Sequence, residues 1–201
     1  IKTASLSELE LALENGMELR GTYEDAPSVV LRSAGDSYKP NDYLAKLLAK
    51  ELGKETFKHS MVLNGLKLKE DSNSAYGLVL VPNGDFSYFE AHELDHENNL
   101  KKFSKLDERG MPVFNENGKR TFYTRNNGLS RLCLSDVLDL VAGDGRLAGS
   151  SARGRVVLIS PERAQNFERH VSRLKQEKEK QITELDSRFN EAVKYLKTGK
   201  P

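Results

Sequence analysis

The sequence predicts a mixed α+β domain followed by a long C-terminal helix, and three observations carry that reading. Two short stretches near the N-terminus repeat apolar residues at helical spacing. From His59 onward the apolar period shortens to two, with turn residues between the runs, as antiparallel strands require. After Pro161 apolar residues again recur mostly by threes and fours, and no helix breaker occurs until about Leu196. The 201 residues therefore divide into a domain at 1–160 and a helical tail, a candidate coiled coil, at 161–201.

Each element has its own signal. Ser5, Leu6, Ser7 and Glu8 spell a capping box, in which the Ser5 hydroxyl and the Glu8 carboxylate satisfy free backbone donors. Leu6, Leu9 and Ala12 then share a helix face up to Gly16, a natural C-terminal cap. Ser28 to Ser33 is a compact β-branched run expected to form a buried strand. Asn41 to Leu52, entered after Pro40, predicts a second helix with Tyr43, Leu44, Leu47, Leu48 and Leu52 on one face and Gly53 at its end. MVLNGLKL, from Met61, reads as a strand or hairpin arm. YGLVLV and FSYFE read as the arms of a hairpin around Pro82, Asn83, Gly84 and Asp85, because Asn-Gly accepts the positive φ of a tight turn. MPVF and KRTFY form a similar pair around Asn115, Glu116, Asn117 and Gly118. Arg155 to Ile159 reads as a central strand.

Ser160 as N-cap and Pro161 at the first helical position then open the tail. Phe167, Val171, Leu174, Ile182, Leu185, Phe189, Ala192 and Leu196 make its apolar stripe, which lapses around Lys178 and Gln181. At 1.5 Å per residue this helix is about 50 Å long, more than a small domain covers. Part of it is expected to project or to pair with another copy, giving a homo-oligomer.

Composition excludes some partners. Lys plus Arg is 31 against 30 Asp plus Glu, so no electrostatic case exists for nucleic acid or an anionic membrane. Apolar residues make up 37% and no run reaches bilayer length, so no membrane insertion is expected. The start lacks the regions of a secretory signal, and Ile1 in place of Met points to a fragment or a processed start. The single Cys133 permits no intrachain disulfide and fits a reducing compartment.

Several motifs bear on chemistry. His92, Glu93, Leu94, Asp95 and His96 spell H-E-x-x-H, which on a helix holds zinc with two histidines while the glutamate activates water. Asp95 and Glu97 flank the second histidine where that pattern usually has uncharged residues, and a predicted strand runs directly into the motif. A solvated polar loop is the preferred reading, with no cofactor; a zinc-dependent hydrolase using His92, His96 and Glu93 is the alternative. No G-x-S-x-G, P-loop or G-x-G-x-x-G is present. Cys133, in a leucine-framed run with no nearby His, reads as a small core residue. Ser150, Ser151 and Arg153 hint at anion binding, and Asp136, Asp139 and Asp144 at calcium, without the spacing of a known loop.

From Arg120 to Pro161 the composition changes: Lys, Glu, Gln, Met and Trp are all absent. Leu129, Leu132, Leu134, Leu138, Leu140 and Leu147 form a frame, with small or turn-forming residues between them, and the run closes on Gly154, Arg155, Val156 and Val157. In this the chain resembles the variable proteins of diversity-generating retroelements in phages, bacteria and archaea. Adenine-specific mutagenesis of Asn-type codons in that family yields residues such as Asn, Ser, Gly, Asp and Arg but never those five. The resemblance implies a C-type-lectin-like fold whose variable region ends in a strand reading Gly-Phe-Arg-Val-Val; here Gly154 meets Arg155 directly, without the Phe.

The function expected is therefore non-catalytic ligand binding. The leucines hold a frame, while Ser135, Asp136, Val137, Asp139, Val141, Ala142, Asp144, Ser150, Ser151 and Arg153 face a protein or surface ligand. The protein is expected in the cytoplasm or displayed on a phage or cell surface. An assembly protein whose tail does the work is a third possibility.

Overall fold

The first helix begins where its capping chemistry puts it. In the computed structural model, which describes residues 2–148, 153–159, 173, 176–190 and 193, Ser5 Oγ accepts from the Glu8 N–H and the Glu8 carboxylate accepts from the Ser5 N–H at 2.8 Å. Helix α1 (Leu6–Glu14) ends in a Schellman motif. There Gly16 takes φ +85°, and the N–H groups of Gly16 and Met17 reach the Leu13 and Ala12 carbonyls. Helix α2 (Lys39–Glu51) closes in the same way through Gly53 and Lys54, bonded to Lys50 and Ala49.

The strands are β1 (Lys2–Thr3), β2 (Tyr23–Leu31), β3 (Met61–Glu70), β4 (Leu78–Glu90), β5 (Lys102–Leu106), β6 (Pro112–Phe114), β7 (Arg120–Thr124), β8 (Leu129–Leu134), β9 (Leu140–Ala142), β10 (Gly154–Arg155) and β11 (Leu158–Ile159). The architecture is mixed α+β. A large sheet runs in the order β4-β3-β2-β8-β9-β7-β5-β6, with β10 parallel to one end of β2. Helix α2 buries Leu44, Ala45, Leu48, Ala49 and Leu52 against Leu31, Met61, Leu63 and Leu129, so the core is centred on β2, β3 and β8. At about 1.5–3 kcal/mol for each large apolar side chain removed from water, this face alone holds the helix down. Helix α1 lies against β5.

Three strand assignments differ from the sequence reading. Pro82, Asn83, Gly84 and Asp85 make no hairpin turn: they lie inside β4, which pairs with β3 on both sides of them. Asn64 pairs with Ser87 but Leu66 with Pro82, so β4 bulges outward opposite Gly65. Gly65 sits at φ +66°, with the Asp85 carbonyl oxygen well inside contact distance of where a Cβ would stand. The real hairpin loop spans 71–77, where Asp71 Oδ1 accepts from the Asn73 N–H and Gly77 takes φ +67°. Likewise β6 and β7 do not pair with each other. Asn115–Gly118 does turn the chain, yet both strands pair with β5, which lies between them.

The third correction concerns the chain end. Arg155 to Ile159 is not a central strand but two two-residue pieces, β10 and β11, with Val156 51% and Leu158 61% exposed. An apolar run is enough to suggest burial, but these two side chains stand open to solvent.

Two compact units result, one formed by Thr3–Leu158 and the other by Ile1–Lys2 with Ile159–Pro201. In the second, residues 176–190 are helical, with Ile182, Leu185 and Phe189 exposed and Arg188 paired with Glu184 one turn away. The remaining stripe residues Phe167, Val171, Leu174, Ala192 and Leu196 lie outside the described residues. No helix among the described residues is long and apolar enough to cross a membrane.

Candidate functional site

The leucine frame is buried. Leu129, Leu132, Leu134, Leu138 and Leu140 all point into the domain, and Leu147 is half-buried against the α2 cluster. The loop joining β8 to β9 is held by Ser135, whose N–H donates to the Asp139 carbonyl and whose Oγ accepts from the Val137 and Asp139 N–H groups. Leu138 takes the left-handed φ +71°, uncommon for a branched residue, and its carbonyl accepts from Arg120 Nε at 2.6 Å.

The ten residues expected to face a ligand have different fates. Val137 is exposed at 53%. Asp136 and the exposed Arg153 pair with each other at 3.2 Å, and their carbonyls accept from the Gly21 and Tyr23 N–H groups. Asp139 accepts from the Thr121 N–H at 2.6 Å, and Val141 lies half-buried in β9. Ser135 and Ala142 are buried and present no side chain outward; the Ala142 carbonyl accepts from Arg32 and Ser130. Asp144 pairs with Arg131 at 2.8 Å and with Arg146 at 3.4 Å. Ser150 and Ser151 lie outside the described residues. Asp136, Asp139 and Asp144 thus serve three separate partners rather than one cation.

Beside this loop system the structure opens a cleft of about 360 Å³ that the sequence reading missed. Its cause is an irregularity in β2. Asp25 pairs with Cys133 and Val29 with Arg131, four steps on β2 against two on β8. On its opposite edge β2 meets β10 at Tyr23 and Glu24 and β3 only from Val29. Pro27, with no N–H to offer, sits in the gap. The opening is walled by Leu44 of α2, Tyr76 of the hairpin loop, Leu68, Leu78 and Leu80 of the β3–β4 ribbon, and Leu147. Only a Pro inside a β-like run hinted at it.

One end of the cleft is charged. Arg131 Nη1 stands 3.2 Å from Asp25 and its Nη2 2.8 Å from Asp144. The two carboxylates differ in environment. Burial opposes ionisation of Asp144, but the Arg146 N–H and the Arg131 guanidinium outweigh it and hold the carboxyl below its usual range. For Asp25 burial wins: with Asp144 and Glu24 close by, the carboxyl is raised despite Arg131.

H-E-x-x-H does not form the helix that zinc chemistry needs. His92–Leu94 and His96–Asn98 are two separate 3-10 turns, so the histidines do not share an α-helical face. Asp95 explains the arrangement. It accepts from His59 Nδ1 at 2.7 Å and from the Ser60 N–H and hydroxyl at 2.7 and 2.8 Å, tying these turns to the start of β3. Glu93 pairs with Arg109 at 2.5 Å. No group of three potential metal ligands occurs among the described residues. Cys133 is fully buried, and burial pushes its thiol up to about 12, which leaves negligible thiolate at neutral pH.

The chain matches no family model, no curated protein and no solved structure.

Proposed function

We propose that the Thr3–Leu158 unit is a non-catalytic ligand-binding domain of C-type-lectin-like architecture, carrying a retroelement-diversified surface. One observation carries the reading: Leu129, Leu132, Leu134, Leu138 and Leu140 are buried, while Asp136, Val137, Arg146 and Arg153 between and after them reach the surface. A frame that must stay apolar and an infill that is free to vary are what codon randomisation over a fixed fold requires. The absence of Lys, Glu, Gln, Met and Trp from the same run is the second support. The partner is a protein or surface ligand. Small side chains are weak anchors, so this chain binds weakly unless the tail multiplies its sites.

The test is a library randomising Asp136, Val137, Arg146 and Arg153 together. Most members should fold, with unfolding free energies within about 1 kcal/mol of the parent, as surface substitutions do. Selection against immobilised proteins should yield binders. Widespread loss of folding would sink the reading, as would randomised leucine positions tolerated equally well.

A further inference from the structure

The cleft at the β2 irregularity is walled by apolar side chains along its length and charged at one end, and its two carboxylates are unequally satisfied. Asp144, 18% exposed, takes Arg131 at 2.8 Å and also the Arg146 N–H at 2.9 Å. Asp25, 38% exposed, has among the described residues only long contacts to one nitrogen of the same arginine, 3.2 and 3.5 Å. Ser28 and Tyr76, the wall's hydroxyl groups, are already spent on Asn64 and Asn41. Arg131 Nε has no hydrogen-bond partner either, but it is buried, so the under-used group that an incoming polar head can reach is the Asp25 carboxylate. We propose that this cleft binds a small amphipathic cation, its apolar body lying against Leu44, Tyr76, Leu78 and Leu147 and its protonated amine on Asp25.

Charge complementarity selects this occupant. An amine donates charge-assisted hydrogen bonds to Asp25 and lets Arg131 remain on Asp144, so no buried charge is stranded. Burial has already raised the Asp25 carboxyl, and a cation relieves the repulsion from Asp144 that contributes to it. An anionic ligand would need the arginine, whose two terminal nitrogens both face carboxylates. A neutral apolar ligand would gain the wall contacts and leave Asp25 as it is. The volume suits a ligand of one ring and a short chain, at the lower end of small-molecule sites. This proposal does not rest on surface diversification, because Asp25, Leu44, Tyr76 and Leu78, which would hold the ligand, lie outside 120–161, although Arg131, Leu147 and Ala148 of the lining lie within it.

The experiment is titration of the full chain with 2-phenylethylamine, 2-phenylethanol and 3-phenylpropionate, followed by calorimetry and by chemical shifts of the β2 amides. The amine should bind at least tenfold more tightly than the alcohol, and the carboxylate most weakly. Asp25→Asn should lower amine affinity to that of the alcohol and leave the alcohol unchanged. Ala148→Trp, at the exposed rim, should weaken both ligands without unfolding the chain. Equal affinity for amine and alcohol, strongest binding of the carboxylate, an amine preference that survives Asp25→Asn, or no binding of any probe would each overturn the proposal. None of these results bears on the library test, whose positions do not line the cleft.

Discussion

Removing the Arg120 guanidinium should be among the costliest single changes in the domain. Arg120 and Glu10 are each 10% exposed, and Arg120 Nη1 reaches both Glu10 oxygens, at 2.9 and 2.6 Å. The same guanidinium donates from Nε to the Leu138 carbonyl and lies 4.5 Å over the Phe103 ring. One side chain thus ties α1, β5 and the left-handed turn at Leu138 together. Arg120→Met keeps most of the stem's packing but strands a buried carboxylate, a loss of about 3–5 kcal/mol. For a chain of this size that lowers the unfolding midpoint by roughly 6–20 °C. Glu10→Met should cost less, because the arginine keeps Leu138 and Phe103. The double variant Glu10→Met/Arg120→Met should recover most of the loss and fall short mainly by the Leu138 bond, about 0.5–1.5 kcal/mol. Urea unfolding of the four proteins gives the cycle. Additive single losses, or an Arg120→Met loss below about 1 kcal/mol, would refute the claim that these charges hold each other in place.

Two further predictions follow from local geometry. Gly65→Ala places a Cβ against the Asp85 carbonyl at a left-handed φ, so it should cost at least about 1–3 kcal/mol in urea unfolding; a neutral result would mean that β4 does not bulge against this residue. At Asp95 burial favours the neutral acid, but His59 and Ser60 prevail and the folded pKa is lowered. Its contribution to stability is therefore complete above the ordinary carboxylate value and lost as pH falls through the depressed one. Asp95→Asn should flatten the acid limb of a stability–pH curve in that window while leaving its neutral limb parallel to the parent's; an unchanged acid limb would deny the linkage.

What was legible in the sequence is what local chemistry decides. The start of α1 and the ends of both helices fall at residues whose own side chains or φ angles impose it, Ser5 and Glu8 at the start and Gly16 and Gly53 at the ends, whereas α2 begins at Lys39, before the expected Asn41, with no capping side chain at Tyr38. Burial of Leu129, Leu132 and Leu134 was legible too, because a largely apolar run suits a strand covered on both faces, and Ser130 and Cys133 between them are buried as well. Strand partnership was not. Asn83-Gly84 has the composition of a turn, but the chain turns at 71–77, and the surplus residues are absorbed opposite Gly65, whose demand appears only when β3 and β4 face each other. H-E-x-x-H fails for the same reason. Its helix would require Asp95 to stay on one face of a local spiral, and His59 and Ser60, 36 and 35 residues earlier, capture that carboxylate instead.

The cleft marks the far end of this scale, since every feature that makes it is a relation between distant segments. Asp25 carries no signal of its own and Pro27 only the hint of a break, because a carboxylate two residues before a proline ahead of an apolar run ordinarily marks a loop. Only when β10 and β3 take opposite ends of one β2 edge does the interval between them become an opening. Arg131 then matters for what it lacks room to do: bound to Asp144, it serves Asp25 only at long range. A β-branched residue in place of Pro27 would restore a backbone donor and let β2 continue its ladder. Such a chain would keep the leucine frame, which β8 and β9 supply, and lose the cleft. Frame and cleft are therefore separable properties of this fold, set by different strands.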